Sequence, residues 1–390
     1  MSSGKSTAPS ADRGPEMQQP DKAADPIQKR VEGMTLDEKI GQLLVVGMDG
    51  YELNDNARAL IDTYHVGGFI LYKSNMKDSR QLIELVNALK AANQAGDAPP
   101  LWLSLDEEGG RVTRMPPELV KVPSAEAVGK TGKPELAFRI GQTLGEELAA
   151  FGLNMNYAPV LDVNSNPGNP VIGDRSYGPK ADLVGEMGVQ TMKGLQSKQV
   201  IPVVKHFPGH GDTSVDSHVG LPIVHHGLER LRELELKPFA KAIAEGADAV
   251  MVAHMLLPKL DPTTPASFSK PVITDLLRKE LGFDGLVITD DLTMGAVVKH
   301  YDIGQAAVQS LEAGSDVLLV GHGFDAEMSV FRAVRQAALD GRLSEERIDQ
   351  SVVRILQLKE KYQLKDEKQS IPDVSGLNRA MKSALEPLKP

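Results

Sequence analysis

A chain of 390 residues is long enough for one large domain or two small ones, and a single barrel domain commonly reaches about 250 residues or more. The formal charge of -10 disfavours wrapping a polyanion through clustered Lys and Arg, so nucleic acid is not an expected partner. The absence of cysteine excludes disulfides, thiolate metal sites and a cysteine nucleophile, and no apolar run of about 18 residues or more encodes a membrane span.

The first 25 residues are rich in Ser, Pro, Ala and charge without an apolar segment, and read as a flexible leader. Such a leader suits the tether of an exported, lipid-anchored protein whose signal has been removed. It favours the cell envelope or secretion, with the cytoplasm as the alternative. From residue 26 onward, short β-rich apolar runs alternate with longer amphipathic ones, the pattern of parallel strands joined by helices.

Strands are expected at 43–47, 67–72, 101–106, 154–161, 201–206, 249–254, 286–290 and 317–321. Helices are expected at 79–92, 134–151, 180–197, 228–245, 270–281, 304–313 and 325–340, with a further one at 344–362 on the barrel outside. The period is clearest in Leu231, Leu234, Phe239 and Ile243, and Gly246 stands where a C-cap glycine belongs. Residues 366–390 read as a C-terminal surface tail, which leaves 26–365 as one domain.

Eight strand–helix units suggest an α/β fold, a (β/α)8 barrel of the TIM type; a doubly wound open sheet is the competing architecture. The polar residues decide between them. Run after run ends in a potential functional group: Asp106, Asp162, Lys205 and His206, His254, Asp290. In a barrel these ends converge on the C-terminal mouth, where active sites are built.

Four segments carry the candidate chemistry. In KHFPGHGDTSVDSH, residues 205–218, Lys205 and His206 follow an apolar run and a Pro/Gly turn comes next. His206, His210, Asp212 and His218 are of the types that hold zinc or manganese, yet they fit no helical HExxH spacing. Alternatively Asp216 orients His218 as an acid/base, or the loop histidine is simply solvated.

In LVITDDLTMGAV, Asp290 stands at the mouth end of a strand, placed to attack or stabilise an electrophilic carbon. Asp291 is its rival, or caps the next helix. In LDEEGGRVTR, Asp106 offers a bidentate acceptor, while Arg111 and Arg114 offer donor forks. One of those arginines is expected to pair with Glu107 or Glu108. In NPVIGDRSYG, Arg175 either reaches the mouth or pairs with Asp174.

Taken in order, these four motifs resemble the β-N-acetylhexosaminidase branch of the family 3 glycoside hydrolases, single-domain type, over roughly residues 31–364. The resemblance implies a (β/α)8 barrel and retention through a covalent glycosyl-aspartate, with no metal or organic cofactor. It assigns Asp290 as nucleophile and Asp216 with His218 as the acid/base dyad. It assigns Asp106, Arg114, Arg175, Lys205 and His206 to the sugar.

The implied substrates are terminal non-reducing β-linked N-acetylglucosamine residues on muropeptides or chitooligosaccharides, and the expected state is a monomer. Phosphorolysis or β-glucosidase activity on the same scaffold are alternatives. A substrate-assisted hexosaminidase built on Asp106, Glu107 and Glu108, a lyase using Lys205 as a Schiff base, and a non-catalytic amino-sugar-binding protein are others. An aromatic content of 4% with one tryptophan argues for a short pocket rather than a long stacking cleft.

Overall fold

The computed structural model describes residues 25–96, 98–213, 217 and 220–388. The strands are β1 (Leu44–Val46), β2 (Gly68–Ile70), β3 (Trp102–Leu105), β4 (Met155–Asn156), β5 (Ile201–Phe207), β6 (Ala249–Val252), β7 (Leu286–Thr289) and β8 (Leu318–Val320). All pair in parallel with their neighbours in sequence, and β1 also pairs with β8. The Ile288–Val317 bridge joins β7 to β8 and closes the ring. Each strand is buried along its whole length, as expected when helices cover a parallel barrel.

Proline explains two departures from the sequence pattern. The run expected as a strand over 154–161 pairs regularly only at Met155–Asn156, because Pro159 has no amide to offer the ladder. The chain rejoins β5 just beyond, where the Leu161 amide donates to the Lys205 carbonyl at 2.6 Å. The helix expected over 228–245 breaks at Leu234 into Leu228–Glu233 and Leu236–Ala244. Pro238 cannot donate to a carbonyl one turn back, but it is accommodated in the first turn of a new helix.

Gly246 follows the second piece with φ of +87°. The Ala247 amide there reaches the Ala242 carbonyl at 2.9 Å, satisfying a carbonyl of the last turn. Residues expected as an α-helix over 270–281 wind instead as a π-helix, Pro271–Glu280.

The C-terminal stretch read as a surface tail carries the helix Val374–Ala384. It is capped by the Asp373 side chain and buries Leu377, Met381 and Ala384. It lies against the helix Pro134–Ala150. Its Asn378 receives the Val120 amide at 2.7 Å and donates to the Glu118 carbonyl at 2.8 Å, so it steadies the loop that follows β3.

At the opposite end of the barrel from those strand-end residues, Lys359 donates to Gln42 Oε1 at 2.8 Å and to the Gly67 carbonyl at 3.0 Å. Its ammonium stands 4.7 Å from the centre of the Trp102 ring. No helix among the described residues is long and apolar enough to cross a membrane.

Candidate active site

A cavity of about 490 Å³ opens at the C-terminal ends of the strands. Asp106, Arg114, Arg175, Lys205, His206 and Asp290 all line it. Six of the eight side chains expected from the sequence therefore meet in one place. Asp216 and His218, the expected acid/base dyad, lie outside the described residues. Ser217 between them lines the same cavity, and its carbonyl accepts the Ala296 amide at 3.0 Å.

The wall formed by β3 to β5 is a chain of opposite charges. β5 loses its regular register against β6 between Val204 and Phe207, and the consecutive residues Lys205 and His206 both line the cavity. The Lys205 ammonium, 2% exposed, donates to Asp106 Oδ1 at 2.5 Å and reaches Glu108 Oε1 at 2.7 Å. Two of its three N–H donors are thereby engaged.

The Arg175 fork closes on Glu108 at 2.8 and 2.7 Å, a planar two-bond match. Burial would raise the Glu108 carboxyl, but Arg175 and Lys205 outweigh it and hold it far below the usual range. Lys205 is likewise buried, and the charges of Asp106 and Glu108 keep its ammonium above the usual lysine value.

Arg175 also fixes the tautomer of His206. A guanidinium only donates, and its Nη2 lies 3.3 Å from His206 Nε2, so that nitrogen accepts. The ring proton therefore sits on Nδ1 and is given to Asp162 Oδ2 at 2.6 Å. Asp162, fully buried, also takes the His210 amide at 2.6 Å. Burial works against its charge, yet His206 keeps its carboxyl below the usual range.

The local pairing expected for Arg175 is overturned. Asp174 pairs with Arg111 at 3.0 Å instead, and Arg111 also donates to the Val171 and Ile172 carbonyls. Glu107 turns from the cavity and accepts the amides of Arg114 and Met115 at 2.6 and 3.1 Å. Asn156 grips the Glu107 backbone from both sides at 2.9 Å. These bonds close the loop and set Arg114 at the cavity.

Of the residues weighed as metal ligands, Asp212 is paired with His226 at 2.5 Å. Burial, with the nearby His206, pushes His210 down to about 4. Among the described residues no group of three or more His, Asp or Glu side chains is arranged to hold a metal ion.

Across the cavity Asp290 ends β7. Its amide donates to the Val252 carbonyl at 3.0 Å, and its Oδ1 accepts the Asp291 amide at 2.8 Å. Asp291 does not cap the next helix, whose cap position is Met294. Its Oδ1 instead receives Thr293 N, Thr293 Oγ1 and the Gly321 amide at 2.9, 2.7 and 2.8 Å, tying the β7 loop to the end of β8. Both Asp290 and Asp291 line the cavity.

His254 is fully buried behind this loop. Its Nε2 donates to the Asp291 carbonyl at 3.0 Å and its Nδ1 meets Ser267 Oγ at 2.7 Å, while burial lowers its pKa and favours the neutral ring that these contacts need. Two contributors escaped the sequence assignment: Glu108 as the partner of Arg175 and Lys205, and Asp162 as the holder of His206. Both carried a signal, Glu108 as an expected ion-pair partner of an arginine in its own segment and Asp162 as a polar residue closing an apolar run.

The chain matches the glycosyl hydrolase family 3 N-terminal domain over residues 35–358. It is 34% identical over 326 residues to a beta-hexosaminidase of Nitrosomonas eutropha, covering 81% of this chain and 92% of that protein. It is 35% identical over 325 residues to beta-hexosaminidase A of Pseudoalteromonas piscicida; there the match takes in 77% of this chain but spans only 54% of the relative's length.

Among solved structures, a family 3 beta-N-acetylglucosaminidase from Paenibacillus sp. str. FPU-7 superposes with a TM-score of 0.86 at 45% identity, covering 90% of this chain and 68% of that one. With its barrel, its converging strand ends and its match over most of the sequence, the chain belongs to glycosyl hydrolase family 3.

Proposed function

We propose that the chain is a retaining β-N-acetylhexosaminidase that releases a terminal, non-reducing β-linked N-acetylglucosamine from muropeptides or chitooligosaccharides. The observation that carries this reading is the position of Asp290, a carboxylate at the end of β7 that faces the Asp106, Glu108, Arg175 and Lys205 wall across one cavity. Such a wall suits a polyhydroxylated ring, because its carboxylates accept from sugar hydroxyls and its cations donate to them. The relatives named beta-hexosaminidase support the choice of sugar.

In this reading a carboxylate oxygen of Asp290 attacks the anomeric carbon as the glycosidic C–O bond breaks, and His218 gives its proton to the departing oxygen. Water then attacks the glycosyl-aspartate, its proton returns to His218, and Asp290 is released as carboxylate. Asp216 orients the imidazole through both steps. A histidine in this role avoids setting a second carboxylate charge near the nucleophile.

A fluorinated N-acetylglucosaminyl donor followed by peptide mass mapping tests the reading. The expected product is a stable adduct on Asp290. An adduct on Asp291, or turnover with no trapped intermediate, overturns it.

A further inference from the structure

The rim opposite the charged wall holds two rings that this chemistry does not use. Tyr72 follows β2 and His322 follows β8, and their rings stack with centroids 4.4 Å apart and planes 26° from parallel. Both line the cavity. The Tyr72 hydroxyl donates to Asp291 Oδ2 at 3.2 Å, and His322 Nε2 lies 3.8 Å from the same oxygen.

The Tyr72 end of the stack packs closely against main chain: a Cβ on Gly321 would stand 2.1 Å from the Tyr72 hydroxyl and 2.4 Å from Asp291 Oδ2. With one face against Tyr72 and 64% of its side chain exposed, the His322 ring presents its other face outward at the edge of the cavity. The other rings lining the cavity among the described residues, His206 and His210, are buried and held by Asp162, Arg175 and Thr213.

We propose that the Tyr72–His322 stack is a leaving-group subsite, on which a pyranose ring of the aglycone lies by its C–H face while the terminal sugar is held by the charged wall. The inference rests on the glycosidase reading above. A pyranose has one edge of hydroxyls and broad faces of C–H bonds. A cavity with an ion-paired wall on one side and a flat ring surface on the other complements both. The stack stands at the exposed rim beside the nucleophile loop, where a departing group passes, whereas the charged wall is buried.

The test compares two donors that share the same terminal sugar. N-acetylglucosaminyl fluoride has no ring in its leaving group, and N,N′-diacetylchitobiose has a pyranose. His322→Ala is expected to lower kcat/KM for the disaccharide about 5–10-fold and to leave the fluoride within twofold, with His322→Phe restoring most of the loss. Because His322 is largely exposed, these variants should fold.

Equal losses on both donors, or an undiminished rate on the disaccharide, overturn the subsite while leaving the glycosidase reading intact. No turnover of either donor by the parent chain overturns that reading, and the subsite with it.

Discussion

The two walls of the cavity are built by different means. From β3 to β5, Asp106, Lys205, Glu108, Arg175, His206 and Asp162 form one continuous line of hydrogen bonds in which each group fixes the next. From β7 through β8 to β2, the backbone does most of the fixing. Asp291 staples two strand ends together, Gly321 brings main chain against it, and Asp290 projects beside them. A wall that recognises hydroxyls gains from many mutually held charges, since none then has to reorganise when the sugar arrives. In the proposed reaction the opposite wall gains from a rigid backbone support beneath Asp290.

The sharpest break of this contrast is Asp290→Ala. It should lower kcat on an aryl N-acetylglucosaminide on the order of 10⁴-fold with little change in thermal midpoint, read by steady-state kinetics beside a melting curve. Glu108→Gln should do the reverse, sparing chemistry more than structure. It leaves two buried cations short of a counter-charge, at a cost of about 3–5 kcal/mol by urea unfolding, together with a raised KM.

Behind the charged wall lies an opposite case. Glu147 faces a second cavity with Glu107, and burial followed by the charges of Glu107 and Glu146 pushes its carboxyl up to about 8. An acid raised in the folded state lends stability that is complete below its ordinary value of 4.5 and is lost as pH rises through about 8. Glu147→Gln should therefore match the parent at pH 4 and exceed it by roughly 1–3 kcal/mol at pH 9, seen as diverging urea midpoints. Parallel midpoints at all pH values would remove Glu147 from this account.

The smallest effect is expected of Asp162→Asn. An amide nitrogen facing Nδ1 would drive the imidazole proton to Nε2, where it meets the Arg175 donor. KM should rise about tenfold while kcat holds. A loss confined to kcat would assign His206 to the chemistry instead.

The barrel and the meeting of its strand ends could be read from sequence because both depend on local pattern. A buried parallel strand is mainly apolar, so the charged residue that closes each run marks the mouth. Asp106, Lys205 and Asp290 were found by that rule. What stayed hidden depends on partners distant in the chain. Asp174 is adjacent to Arg175 and was its natural partner by spacing, yet Glu108, 67 residues away, holds it. Tyr72 and His322 follow two different strands, β2 and β8, which both pair with β1, and their rings meet although they stand 250 residues apart in the chain. Pro159 and Pro238 could have been read from sequence, and the breaks they cause are those any proline imposes.

Gly321 bears on how this site can change over time. Every replacement of a glycine by another amino acid brings at least a Cβ, and here that single carbon would collide with both Tyr72 and Asp291. Gly47 at the end of β1 is under the same constraint, its Cβ falling 1.8 Å from the Gly321 carbonyl oxygen. A side chain at either glycine of this seam between the first and last strands would force its neighbours to shift. His322, one residue further on and turned to solvent, is open to substitution. Divergence among relatives in what they release should accumulate at that neighbour, while the pair of glycines holds the frame in which such divergence stays harmless.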